Sequence, residues 1–455
     1  MTTRADVSQS SRVRGARIWV EYALVVAIIV AGTFITWVRV APDGRRRVWA
    51  EDANLFLTEA IGYGPWDVIF RGYAGYQHLV PRLVTATIYP WFDIVVFPML
   101  LFIICAALTG LVAAAVFWLS RDLVPWLPAR LLLAGVTLYL PLAAQETIGN
   151  LADLHAYAMW LAPWLLLYRP RRWATGIGWA IVTFLVVMTE IQAVFFIWLI
   201  FFRLGRANAR SYPIYVAFIA GSVGQVITAL TIQRTTSNGP LSVPSTVMGW
   251  IVNTVFPLVN ANPEQIRQLI RDSGLLVGLL LLVPIVIAAV YVLWRGSGAQ
   301  RLLVVACLLG SAATYTGSAW SNSSEWFEYA EVGLANIDHL AINIRYGVSA
   351  GMLLVAVVPV ALSLWVTRTA RAQGAAKSVP RVVGVVISLA ILAVMVHAST
   401  DTYSLRTTVD EWPASVQNAI AGCRDGVAPD PVTLPVAPSR SMDISCANLL
   451  ELARH

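Results

Sequence analysis

The sequence predicts an all-α, polytopic membrane protein with about eleven transmembrane helices. Its 455 residues are 58% hydrophobic and only 13% charged, whereas soluble domains carry about 25% charged residues. The mean hydropathy is +0.68. Long apolar runs recur along the chain, and a helix needs roughly 20 apolar residues to cross a bilayer. These three observations exclude an ordinary soluble domain.

Apolar runs separated by polar loops predict the individual spans, several of which are short. The runs lie near residues 18–40, 95–119, 129–145, 156–168, 174–189, 191–202, 213–233, 274–294, 300–318, 347–366 and 382–399. The two shortest need flanking residues or a tilt to cross a bilayer. Residues 1–17 are polar and basic, and no convincing cleavage site follows. We therefore interpret the first span as a signal anchor.

Arginine-rich loops predict which side of the membrane each loop faces. If eleven spans alternate, the basic N-terminal tail and the basic loops at 169–172, 203–210 and 368–381 all fall on one side. Cytoplasmic loops accumulate Arg and Lys, so this side is predicted to be the cytoplasm. The N-terminus is then cytoplasmic and the C-terminus extracytoplasmic, in a bacterial plasma membrane. These loops account for the net charge of +7 without a nucleic-acid partner.

The acidic residues have the opposite distribution. Of the 25 Asp and Glu residues, only Asp6 and Asp122 fall on the predicted cytoplasmic side, and Glu21 lies in the first span. One interpretation is that the working surface faces outward. The other is that the outer loops are simply longer.

The last segment, residues 400–455, is predicted to be a small extracytoplasmic tail. Cys423 and Cys446 both lie in it, and a pair of cysteines in an oxidising compartment predicts a disulfide. Such a loop closure contributes roughly 3 kcal/mol in the chain-entropy model. Cys105 and Cys307 fall inside predicted spans, where we expect them to be packing residues.

The first outer loop, residues 41–94, mixes acids, arginines and aromatic residues. Glu51 and Asp52 stand near its head, just past the first span, and ionised groups held beside a bilayer are usually functional. The stretch 52–61 predicts a short helix for which Asp52 is a good N-cap. Asp52 therefore has two interpretations, a catalytic carboxylate or a helix cap. Glu51 could orient a substrate or pair with the arginines at 45–47.

A second group of polar residues lies in the outer turn 145–157. Asn150, Asp153 and His155 stand there at a predicted membrane edge. Asp153 and His155 could bind sugar hydroxyls or a divalent cation, but two neighbours without a third ligand do not make a metal site. Helix capping is the structural alternative for Asn150.

Basic and aromatic residues provide candidates for binding an anion. Arg345 precedes a late span, and Tyr76, His78 and Arg82 belong to the first outer loop. A guanidinium binds phosphate oxygens bidentately. The alternatives are an arginine that reaches lipid headgroups and a histidine that only forms a structural hydrogen bond. Residues 79–91 are apolar but too short to span, which predicts an interfacial helix.

Common soluble-enzyme motifs are absent from the sequence. It contains no HExxH, CxxC, P-loop or GxGxxG pattern. Cytoplasmic nucleotide chemistry is therefore not indicated.

The N-terminal third resembles the GT-C superfamily of integral membrane glycosyltransferases. These enzymes carry an Asp in the first extracytoplasmic loop, commonly as Asp-Glu with an aromatic residue or His a few positions on. Here Asp52 is followed by Phe56, while Ala53 stands at the usual Glu position. The segment GYAGYQHLVPRL is similar to bacterial members of cell-envelope glycan assembly. Arg345 and the Tyr that follows it resemble a pair near their last outer loop.

The resemblance implies a helical bundle with interfacial helices and an inverting sugar transfer. The donor would be a polyprenyl-phosphate-linked sugar, and the acceptor an envelope glycan or lipid. Transfer needs a base for the acceptor hydroxyl, positive charge for the departing phosphate and an apolar groove for the lipid tail. The predicted roles are catalysis for Asp52 (general base) and Glu51, donor-phosphate binding for Arg345, Arg82 and His78, and substrate binding for Tyr76, Asn150, Asp153 and His155.

Two other functions are compatible with this sequence. A transporter or flippase of a lipid-linked envelope intermediate would also have many spans and an arginine-lined cavity. Transporters commonly carry charges near the membrane midplane and internal repeats, whereas the charges here collect in outer loops. The other alternative is a non-catalytic subunit of an envelope complex.

Overall fold

The computed structural model of the protein describes residues 4–144, 146–205, 208–234, 241–342, 344–372, 378–399 and 405–453. Arg206 and Lys377, which belong to the predicted cytoplasmic loops, lie outside these residues. The chain is 76% helical. This confirms the predicted α-helical class, although a small hairpin occurs in the tail.

The regular elements follow one another with short connections. The α-helices are α1 (Arg4–Arg39), α2 (Pro42–Arg45), α3 (Thr58–Tyr63), α4 (Leu79–Ile88), α5 (Phe97–Leu119), α6 (Leu127–Tyr139), α7 (Leu154–Leu167), α8 (Trp173–Val187), α9 (Trp198–Leu204), α10 (Tyr212–Thr231), α11 (Val243–Trp250), α12 (Pro263–Ser273), α13 (Leu276–Arg295), α14 (Gly298–Ser321), α15 (Tyr329–Val332), α16 (Val348–Ala372), α17 (Ser378–Ala398), α18 (Trp412–Arg424) and α19 (Cys446–Leu452). The strands are β1 (Val432–Val436) and β2 (Arg440–Ile444).

Seven helical segments of the described chain are long and apolar enough to cross a membrane. They are Ile18–Arg39, Phe97–Asp122, Ala209–Thr231, Leu276–Arg295, Gly298–Ser321, Arg345–Ala370 and Ser378–Ala398. The other predicted spans fall on the shorter apolar helices Leu127–Ala143, Leu154–Leu167, Trp173–Val187 and Ile191–Leu204. The architecture is that of an all-α polytopic membrane protein. The count of about eleven spans stays a prediction.

Helix α7 lies in the interior of the bundle. It is apolar on all sides and nearly every side chain is buried, including Trp160 and Trp164. A helix that is apolar all round belongs in a core. The Trp160 ring nitrogen donates a hydrogen bond to Thr137 Oγ1 on α6 at 2.9 Å. The first span, Ile18–Arg39, is the opposite case, because only 6% of its apolar stretch is buried inside the protein.

Two of the predicted cytoplasmic loops contact each other. The Arg210 guanidinium donates to the backbone oxygen of Arg171 at 2.7 Å, and Arg171 pairs with Asp122 at 3.1 Å. The loops that follow α5, α7 and α9 therefore meet at one end of the bundle. This agrees with the sequence-based grouping of the basic loops on one side.

The first outer loop folds differently from the prediction at its head. A π-helical turn covers Asp52–Leu57 and continues into α3. Glu51, and not Asp52, is the N-cap residue of this turn, and it makes no side-chain capping bond. The prediction that Asp52 caps the helix is therefore wrong. The apolar stretch 79–91 contains α4, which is only 10 residues long.

The tail is a small α/β unit held by a disulfide. The predicted bond between Cys423 and Cys446 is confirmed, with their Cα atoms 5.4 Å apart. It links α18 to the start of α19. Between them β1 and β2 form an antiparallel hairpin in which Val436 pairs with Arg440.

Candidate functional site

A polar cavity of about 340 Å³ lies where the first outer loop meets the start of α7 and the C-terminal ends of α8, α10 and α14. Its lining contains several of the residues predicted from the sequence, namely Glu51, Tyr76, His78, Asp153, His155 and Arg345. Three predicted residues, Asp52, Arg82 and Asn150, are not part of this lining. The structure thus brings together residues that are up to about 300 positions apart in the chain.

Asp52 is sealed inside the protein. Its side chain is fully buried, and its two carboxylate oxygens accept hydrogen bonds from the backbone N–H groups of Leu151 at 3.0 Å and Ala152 at 2.9 Å. Burial raises the pKa of Asp52 to about 7, although these two hydrogen bonds and the charge of Arg406 act in the opposite direction. The carboxylate therefore ties the first outer loop to the turn before α7.

Glu51 has the opposite environment although it is the adjacent residue. It is half-buried and lines the cavity. Its carboxylate makes no hydrogen bond or ion pair with the residues that the structure describes. The predicted pairing with the arginines at 45–47 is not found, since Arg46 pairs with Glu411 at 3.1 Å and Arg47 donates to the Val409 oxygen. Glu51 is thus a half-buried carboxylate at the cavity wall without a partner among the described residues.

The turn before α7 is held by Asn150. Its amide nitrogen donates to the Glu146 backbone oxygen at 2.6 Å and to Asp153 Oδ2 at 2.8 Å. Gly149 has φ +81, and a Cβ atom there would lie 2.2 Å from the Phe102 ring. Only glycine fits this close approach. Asn150 consequently positions Asp153 but does not itself face the cavity.

His155 lies between two carboxylates on the cavity wall. Its Nδ1 is 2.7 Å from Glu190 Oε2, and its Nε2 is 3.6 Å from Asp153 Oδ1. Burial alone would raise the pKa of Asp153. The hydrogen bond to His155 and the charge of His155 outweigh this effect, so the pKa of Asp153 is lowered. The three side chains form a hydrogen-bonding and charged surface suited to binding polar groups.

Arg345 lines the cavity but is already paired. Its guanidinium contacts Glu146 Oε1 at 2.6 Å and stacks near the Tyr346 ring, 5.2 Å from its centre. Burial raises the pKa of Glu146 to about 7, against the attraction of Arg345. The Arg345 side chain remains 37% exposed, so it can still contact a ligand.

The other two predicted phosphate ligands differ in access. His78 is buried on the cavity wall, packs against Tyr76 with ring centres 4.1 Å apart, and neither of its ring nitrogens has a hydrogen-bond partner in the described chain. Burial lowers the pKa of His78 well below its usual range, which favours the neutral form of its imidazole. Arg82 is fully buried outside the cavity and pairs with Glu59 at 2.7 Å.

The structure adds cavity residues that were not assigned a role from the sequence. They include Glu190, Gln192, Arg234, Asn322 and Arg440. Glu190 stands out in the sequence as a lone acid between two spans. Nothing in the sequence signals Arg440, because it reaches the cavity from the tail.

An apolar groove of about 330 Å³ lies next to the polar cavity. It runs between α5, α7 and α8 and is lined by residues such as Leu108, Ala115 and Leu161. Residues adjacent in sequence line the two spaces. Ala156 lines the cavity and Tyr157 the groove, while Glu190 lines the cavity and Thr189 the groove. The polar cavity and the apolar groove are therefore neighbours in the structure.

Metal binding has no clear candidate in the part of the chain that the structure describes. No group of three or more His, Cys, Asp or Glu side chains there could hold a metal ion. The divalent cation considered from the sequence stays a prediction.

Comparisons of the chain with protein families, with curated proteins and with solved structures find no match. The resemblance to the GT-C superfamily therefore rests on the sequence features alone.

Proposed function

We propose that this protein is a membrane glycosyltransferase of the GT-C type that uses a polyprenyl-phosphate-linked sugar. The observation that carries the proposal is the position of the polar cavity beside the apolar groove. A lipid-linked sugar has a polar head and a long apolar tail, so it needs two such compartments side by side. Burying the tail is favourable by about 0.8 kcal/mol per methylene group.

Glu51 is the proposed general base. As the acceptor hydroxyl oxygen bonds to the anomeric carbon, its proton passes to the Glu51 carboxylate. The bond between that carbon and the phosphate oxygen breaks, and its electron pair leaves with the polyprenyl phosphate. Attack from the face opposite the phosphate inverts the anomeric carbon. The sequence favoured Asp52 for this step, but its burial and two backbone hydrogen bonds support its neighbour instead.

The remaining cavity residues supply binding. Arg345 is proposed to contact the departing phosphate, whose developing charge a guanidinium stabilises. Asp153, His155 and Glu190 are proposed to bind the sugar or acceptor hydroxyls. The acceptor is an envelope glycan or lipid at the outer face.

The proposed topology has eleven spans, with the N-terminus in the cytoplasm of a bacterium and the tail outside. The seven long helices and four shorter apolar helices support it, because alternating them brings all cavity residues to the same end. The meeting of two basic loops at the other end is consistent with the positive-inside rule.

The decisive experiment is sugar transfer by the purified protein from a panel of polyprenyl-phosphate sugars. Transfer to an acceptor extract, with release of polyprenyl phosphate, would support the proposal. A flippase could use the same cavity and groove. If no donor supports transfer, but the protein moves labelled polyprenyl-phosphate sugar across proteoliposome membranes, the transporter function replaces this proposal.

Filling the groove tests the role of the lipid tail. We expect Ala115→Trp to raise the KM for a long-chain donor about tenfold or more, because the indole ring occupies space that several methylene groups would fill. A donor with a very short lipid chain should be affected much less. The measurement is the KM of both donors with the wild type and the variant.

Ile103→Trp is the matched control for this variant. Ile103 is exposed on the same helix, α5, and lies outside the groove lining. Equal effects of the two variants, or equal effects on the short-chain and long-chain donors, would contradict the tail-binding role.

A further inference from the structure

The C-terminal tail is docked on the first outer loop by specific contacts. The Ala437 N–H donates to the Val48 oxygen at 3.0 Å, and the Trp412 N–H donates to the Arg46 oxygen at 3.0 Å. Trp412 is fully buried, and its ring nitrogen donates to the Ile94 oxygen at 2.8 Å. The tail is therefore packed against the loop that carries Glu51.

The hairpin of the tail fixes the backbone of Arg440. Arg440 is the first residue of β2 and is paired with Val436 of β1. Strand β2 packs against the turn Asp52–Leu57, directly after Glu51. The disulfide joins the two helices that flank the hairpin in sequence. These constraints hold Arg440 at the cavity although its side chain is exposed.

Arg440 differs from the other arginines of the cavity in its partners. Arg345 is paired with Glu146 at 2.6 Å, and Arg234 donates to Asn322 Oδ1 at 2.6 Å. Within the described chain, the Arg440 guanidinium makes no hydrogen bond or ion pair. All five of its N–H donors are available to a ligand, and its fork geometry matches the oxygens of a phosphate.

We propose that Arg440 is a substrate-binding residue that takes the phosphate group of a polyprenyl phosphate in the cavity, an inference that rests on the substrate class of the proposed function. The tail thereby completes the site, and its disulfide serves to hold this arginine in position. Arg345, whose charge is partly neutralised by Glu146, makes a second contact to the same anion.

The test is a binding measurement that needs no transfer activity. The probes are a long-chain polyprenyl phosphate and the corresponding polyprenol, which lacks the phosphate. We expect Arg440→Gln to weaken binding of the phosphate about 10- to 100-fold, as expected for the loss of charged hydrogen bonds. Binding of the polyprenol should not change. Arg440→Lys should recover part of the affinity, because lysine keeps the positive charge but lacks the planar guanidinium that binds two phosphate oxygens at once.

Arg424→Gln is the matched control. Arg424 is an exposed arginine of α18 in the same tail and does not line the cavity. Unchanged phosphate affinity in Arg440→Gln, an equal loss in Arg424→Gln, or equal affinity of the wild type for phosphate and polyprenol would each overturn the inference. Loss of phosphate affinity in Arg440→Gln, together with no sugar transfer by the wild type, would support the role of Arg440 while removing the glycosyltransferase function.

Discussion

Glu51→Gln is expected to lower the rate of sugar transfer by about 10²–10⁴-fold, the usual contribution of a general base. Glutamine keeps the size and shape of glutamate but cannot accept the acceptor proton. Glu51 is half-buried at the cavity, and its carboxylate has no partner among the described residues, so the change leaves no buried group unpaired. The thermal unfolding midpoint should therefore stay the same. Initial transfer rates at saturating donor and acceptor give the effect on kcat.

Glu328→Gln is the control for this variant. Glu328 is an exposed glutamate directly before α15 and lies outside the cavity lining. It should keep the full transfer rate. If Glu51→Gln transfers sugar at the wild-type rate, Glu51 is not the base.

Asp52→Asn is expected to destabilise the protein, although it is the same chemical change at the next residue. The carboxylate accepts hydrogen bonds from two backbone N–H groups. In the variant, the amide N–H₂ of Asn would face one of these N–H groups, which would lose its acceptor. Leaving a buried donor unpaired costs about 1–3 kcal/mol. Burial also lowers the pKa of Arg406, and the negative charge of Asp52 is the largest electrostatic effect in the opposite direction. Asn removes this charge. A lower midpoint of thermal unfolding in detergent is the expected result.

The two variants discriminate between the candidate bases. Asp52→Asn should lose activity in proportion to its loss of folded protein, with the remaining folded fraction still active. A variant with wild-type thermal stability but no transfer would identify Asp52 as the base and contradict the assignment to Glu51. The adjacent positions make each variant the control for the other.

The geometry of Glu51 and Asp52 also explains why the sequence could not choose between them. Adjacent helical side chains point about 100° apart, so Glu51 and Asp52 are directed differently, and only one of them lines this cavity. Which one does depends on how the turn Asp52–Leu57 is rotated. That rotation is set by backbone donors at Leu151 and Ala152, about 100 residues away.

The sequence by itself determined the class of protein, the segments that become apolar helices and the disulfide. Each of these follows from local properties, namely hydropathy, helix length and the presence of two cysteines in one polar tail. Most of the predicted cavity residues were also found from local signals, because polar groups beside apolar spans are costly and therefore conspicuous.

Only the tertiary structure decided which of these residues share one cavity. Asn150 holds the turn before α7 by a hydrogen bond to the Glu146 backbone oxygen, and Arg82 forms an ion pair with Glu59. Glu190, which follows α8, contacts His155 on α7. Arg440 entered from the far end of the chain because the tail docks on the first outer loop. Such contacts depend on packing between distant segments, for which hydropathy and spacing carry no information.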